Sequence, residues 1–147
     1  MVSPSARYRA TADDSRSDDR TEYRPGVCNI GRTEQRRRYR YAAVGALVTL
    51  GYLAALVVTD APTGLVLGAF APLALAVEFS IQARTQFCVR FALRGRYDFT
   101  GSGGDSGRVT ASANRRADTV SAAKVTVFSL LVAGVATGAL YVGGTML

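Results

Sequence analysis

Cys28 and Cys88 are the only two cysteines, and the chain contains no histidine. Two thiols could form a redox pair or pass sulfur along, and Arg84, Arg90 and Arg94 around Cys88 would favour its thiolate. Two thiols without histidine are too few for a closed zinc site, so neither metal nor cofactor is expected. A structural disulfide is unusual in a reducing cytosol, and packing as a small hydrophobe is the competing role for both side chains. Glu78 is a second candidate, an acid inside an apolar run. Such an acid is costly in lipid and finds a partner or water. Lys124 and Arg40 are its candidate partners in an intramembrane ion pair; an ion or proton site at Glu78 is the sharper alternative. No catalytic constellation is assembled in the sequence.

Three apolar runs must position these residues. Residues 41–59 carry no charge, and residues 62–81 carry one, Glu78. A helix rises about 1.5 Å per residue and a bilayer core is about 30 Å thick, so about 20 apolar residues suffice to cross. Asp60-Ala61-Pro62-Thr63-Gly64 supplies turn chemistry between the first two runs, and Pro62 suits the first position of a helix. The spacing predicts helix 1 over about 33–59 and helix 2 over about 62–82, with the residues up to 94 either extending helix 2 or lying in the interface. Helix 3 follows over about 116–143. A chain of 147 residues is too short to wrap three such helices in polar layers. The expected fold class is an all-α integral membrane protein with three transmembrane helices. All 18 Lys and Arg residues lie in 1–40 and 84–124. That asymmetry predicts the N-terminus in the cytoplasm, the C-terminus outside, and a multi-pass place in the cytoplasmic membrane.

The remaining segments read as follows. Residues 1–27 mix acids and arginines with little that could enter a core, and are expected to be a disordered cytoplasmic tail. Residues 28–147 are expected to form a single membrane domain. Thr33 and Glu34 suggest a capped helix start, followed by an arginine- and tyrosine-rich run at headgroup level. After helix 2, Phe87 and Phe91, with Arg90 and Arg94, suggest a short interfacial amphipathic segment stopped by Gly95. The glycine- and serine-rich stretch 100–113 reads as a flexible loop, and Asn114 as a cap for the last helix. Gly64 and Gly68, and Gly134 and Gly138, are spaced for close helix packing. Pro72 should kink helix 2. The net charge of +7 suits anionic headgroups; no recognition motif or stacking pattern points to nucleic acid.

Cys28-Asn29-Ile30-Gly31, then Glu34 and Arg38, precede a glycine-bearing span; Phe87, Cys88, Phe91 and Gly95 follow the second. In outline and spacing this resembles the small two-helix inner-membrane domain family found beside or fused to rhodanese, the sulfurtransferase. In the family pattern an acid follows the glycine by three residues, an arginine follows the acid by four, and the second helix ends in Phe-Cys-Pro. Asn29, Gly31, Glu34, Arg38, Phe87, Phe91 and Gly95 are the matching positions. Gln35 stands where arginine is usual, Val89 where proline is usual, and helix 3 is additional. The resemblance covers about half the chain and implies a self-associating membrane unit with an accessory role.

The expected function is therefore that of a non-enzymatic scaffold or accessory subunit, alone as a homo-oligomer or within a membrane complex. A thiol relay through Cys28 and Cys88, and an oligomeric channel or carrier using Glu78, are the alternatives.

Overall fold

A computed structural model describes residues 22–146; positions 1–21 of the expected disordered tail lie outside the described residues, as does Leu147. The element order is α1 (Arg32–Val58), a 3-10 stretch (Thr63–Ala69), α2 (Phe70–Thr85), the short α3 (Val89–Leu93), β1 (Arg96–Asp98), a 3-10 turn (Thr100–Ser102), β2 (Ser106–Arg108) and α4 (Ser112–Thr145). Among the described residues three helical stretches, Arg32–Val58, Thr63–Thr85 and Ser112–Thr145, are long and apolar enough to cross a membrane.

α2 packs against both α1 and α4. The α1–α2 turn is closed by Ala61 N–H donating to the Leu56 carbonyl at 3.0 Å, with Asp60 at φ 49°. Pro62 is the N-cap of the second span rather than its first helical residue, with an extended ψ of 133°, and the span opens at Thr63 as a 3-10 helix. The change to α-helix comes at Phe70, just ahead of Pro72, so the proline sits in the first α-turn where its missing N–H disturbs least. Thr63 lies against Gly144, which puts the end of α4 beside the α1–α2 turn.

The helix contacts are made by small side chains. Ala69, Ala76, Ala122, Ser129, Ala133 and Thr137 are buried, whereas Leu47 (69% exposed), Val58 (83%) and Val135 (73%) point outward. This reverses the water-soluble arrangement, in which the large apolar side chains are the buried ones. The four glycines expected to pack helices contribute unevenly. Gly68 makes room for the Tyr52 ring, whose hydroxyl donates to the Leu65 carbonyl at 2.8 Å. A Cβ at Gly134 would only touch the Phe70 ring at 3.8 Å, and Gly64 and Gly138 face open space. The tight approach lies instead at Gly45, where a Cβ would sit 3.1 Å from the Ala76 backbone.

A second layer, built from residues 22–31 and 86–111, covers the end where α1 begins, α2 ends and α4 begins. Here large side chains are inside: Ile30, Phe87 and Phe99 are almost fully buried. Three expectations are corrected in this layer. Residues 22–27 are docked rather than free: Arg24 to Cys28 form a hydrogen-bonded turn, and Tyr23 stacks on Tyr97 at 5.1 Å between centroids. Helix 2 does not run on to 94, because Gln86 adopts a left-handed conformation (φ 54°, ψ 33°) and ends α2; Phe87 and Cys88 then turn inward. The stretch 100–113 is not an open loop. β1 and β2 pair antiparallel with Tyr97 opposite Gly107, and the Tyr97 ring lies where a side chain at 107 would be.

That hairpin also caps α1. The Ser102 hydroxyl accepts from Arg32 N–H, and Thr33 donates to the Gly101 carbonyl at 3.1 Å. Gly31, not Thr33, is the N-cap position. α4 begins at Ser112, so Asn114 lies inside the helix rather than capping it.

Candidate functional site

The sequence pattern places Cys28, Asn29, Glu34 and Arg38 ahead of the first span and Phe87 and Cys88 after the second. The fold brings the two groups together. Gln86 ends α2 with its carbonyl accepting from Asn29 N–H at 3.1 Å and Ile30 N–H at 3.2 Å. The Asn29 side chain, completely buried, then spans the Cys88 peptide units. Its Oδ1 accepts from Cys88 N–H at 2.6 Å, and its Nδ2 donates to the Cys88 carbonyl at 3.0 Å. Asparagine suits this position because one amide offers both an acceptor and a donor.

Arg38, two turns into α1, approaches from the helical bundle. Its Nη2 donates to Cys88 Sγ at 3.0 Å and lies 3.5 Å from Glu34 Oε2. The guanidinium stacks over Phe79 at 5.7 Å from the ring centroid, and its buried Nε has no partner. Glu34 also lies 3.5 Å from Arg37. The cation at Cys88 is thus Arg38, and Arg84, Arg90 and Arg94, expected around the thiol, are exposed. Gln35 donates to the Ala83 carbonyl at 2.8 Å, tying α1 to the end of α2.

Both thiols are free and closed off, Cys88 at 0% exposure and Cys28 at 3%. Cys28 Sγ donates to the Glu22 carbonyl at 3.4 Å. A buried thiol cannot meet a disulfide or a sulfur donor until the layer above it opens. Among the described residues no group of three His, Cys, Asp or Glu side chains gathers as a metal site. Gly31 is packed so closely that a Cβ would meet Ser102 Oγ, Phe91 is half-buried, and Gly95 ends α3 at φ 60°.

The expected ion pair at Glu78 is not formed. Glu78 accepts from Gln82 Nε2 at 3.1 Å and from Thr126 Oγ1 at 3.5 Å, while Lys124 and Arg40 are exposed and make no ion pair with it. Residues two apart on a helix are turned about 200° from one another. With Thr126 facing α2, Lys124 points away from it.

Two residues escaped the sequence reading. Asp118 is fully buried near the start of α4 and accepts from Tyr23 Oη and from Gly26 N–H, both at 2.7 Å. Ser121, one turn on, donates to the Gly26 carbonyl at 2.8 Å. Burial pushes the Tyr23 hydroxyl above its usual range, and the hydrogen bond to Asp118 adds to the shift. The available signal was positional: Asp118, Ala122, Ser129 and Ala133 share one stripe of α4, and an acid on that stripe must face the packed side.

Compared with known proteins, the chain matches no family model, no curated protein and no solved structure.

Proposed function

We propose that the chain is a multi-pass protein of the cytoplasmic membrane that acts without chemistry of its own, as a scaffold or accessory subunit. The observation that carries this reading is how the reactive side chains are used. Asn29, Glu34, Arg38 and Cys88 are bound to one another where α1 and α2 meet the covering layer, and both thiols are shut off from solvent. Large apolar side chains outside and small ones inside suit lipid as the solvent, since small residues allow the close helix contacts that hold spans together in a bilayer. All basic residues lie toward the layered end or in the segment before it, which supports that end as cytoplasmic and the α1–α2 turn and Leu147 as external.

The convergence of Asn29, Glu34, Arg38, Phe87 and Cys88 also supports kinship of the α1–α2 unit with the rhodanese-associated membrane domain, with α4 as an addition. The relay alternative requires at least one accessible thiol. Alkylation of the native membrane-embedded protein, with and without reductant, tests the proposal. Two thiols that react only after denaturation are expected; a fast-reacting Cys88, or a disulfide formed under mild oxidant, would replace the scaffold with a relay. A reporter fused at Leu147 that proved cytoplasmic would overturn the orientation.

A further inference from the structure

The mouth between the start of α1 and the end of α2 holds a feature that the scaffold role does not use. Arg32 and Arg36, one turn apart on α1, and Arg84, in the last turn of α2, line a concave site of about 540 Å³ with Gln35 and Gln86. Its floor is fixed. Gln35 Nε2 donates to the Ala83 carbonyl at 2.8 Å, Gln86 Nε2 donates to Gln35 Oε1 at 3.4 Å, and the Gln86 carbonyl receives two backbone N–H groups.

The three guanidiniums are exposed, and among the described residues none has an acidic partner. Glu34, the acid nearest in sequence, is committed to Arg37 and Arg38. Three like charges around one cavity repel one another, and a shared anion removes that cost. Planar guanidinium forks match the oxygens of a phosphate group and bind it with charge-assisted hydrogen bonds. The volume is in the range of small-ligand sites, so a phosphate fits with the group that bears it.

We propose that this cavity binds a phosphate group, clamped between Arg32, Arg36 and Arg84. Two sources offer that chemistry: a soluble phosphate compound, or the headgroup of an anionic phospholipid.

The test titrates detergent-purified protein calorimetrically with inorganic phosphate and pyrophosphate. In parallel, native mass spectrometry measures retention of phosphatidylglycerol against phosphatidylcholine. Saturable pyrophosphate binding identifies a soluble ligand, and selective retention of phosphatidylglycerol alone identifies a headgroup. Charged hydrogen bonds contribute enough that each Arg→Gln change should weaken binding about tenfold. The triple change Arg32→Gln, Arg36→Gln, Arg84→Gln should abolish it. The matched change Arg94→Gln, Arg96→Gln, Arg108→Gln removes the same charge elsewhere in the layer and should leave binding within about twofold, beyond the weak effect of distant screened charges. Continued burial of Cys88 checks folding, and where the triple variant fails it, Arg84→Gln alone decides. Absence of binding in both arms, or equal loss in the matched variant, overturns the proposal.

Discussion

Replacing Asn29 with alanine should unlatch the covering layer from the helices. The Asn29 amide supplies the acceptor for Cys88 N–H and a donor for the Cys88 carbonyl. The carbonyl keeps a second donor, Ala92 N–H at 3.0 Å, so it loses one bond of two. The N–H is left buried without a partner. A stranded buried N–H costs about 1–3 kcal/mol and a lost neutral hydrogen bond about 1 kcal/mol, so local opening becomes easier by about 2–4 kcal/mol. At 1.4 kcal/mol per factor of ten, the open fraction rises about 30- to 700-fold. Cys88 reports it directly, because it is fully buried and can be alkylated only in the open state. Residue-resolved mass spectrometry of maleimide labelling under native conditions separates Cys88 from Cys28. The expected result is slow labelling of Cys88 in the parent chain and acceleration of that order in Asn29→Ala. An acceleration below about threefold, smaller than the loss of a single hydrogen bond, would refute the latch. So would a parent Cys88 that labels as fast as a free thiol.

Three further outcomes follow from the same geometry. Asp118→Ala removes the acceptor for Tyr23 and for Gly26 N–H, and amide hydrogen exchange at Gly26 should rise at least about tenfold while exchange in the middle of α2 stays unchanged. Tyr23 ionises in the unfolded chain near 10.0 and later in the folded one, so its contact stabilises fully below that pH and is lost as pH rises through and beyond it. The difference in unfolding midpoint between the parent and Tyr23→Phe should therefore be largest near neutrality and shrink between pH 10 and 11. Gly45→Val forces α1 off the Ala76 backbone and should destabilise by about 1–3 kcal/mol in a detergent unfolding titration, whereas Gly51→Val, with open space around it, should be close to neutral.

The three spans were legible because each holds an apolar run of about 20 residues with at most one charge, and length and composition decide whether such a run can cross. The break at Gln86 was not, since nothing in Thr85-Gln86-Phe87 announces a left-handed residue; the turn is imposed by burial of Phe87 and Cys88. The stretch 100–113, which holds β2 of the hairpin, reads as flexible because Gly and Ser serve tight turns and open linkers alike. The hairpin's order comes from partners far away in sequence, Ser102 on Arg32 N–H and Asp98 bridging to Ile30. Asn29 and Cys88 lie 59 positions apart, and no local periodicity could join them. The two residues stood out separately in the sequence, and only the fold shows that they touch. For Glu78, charge suggested the basic partners, but helix phase selected Thr126.

α4 has 34 residues and so extends about 51 Å, some 20 Å more than a bilayer core. Its surplus turns form a mast, to which Tyr23 and Gly26 are lashed through Asp118 and Ser121. From Gly26 only five residues of backbone lead to Arg32, where α1 begins. These five residues thus tie the last helix directly to the first, two helices whose other packing runs mainly through α2.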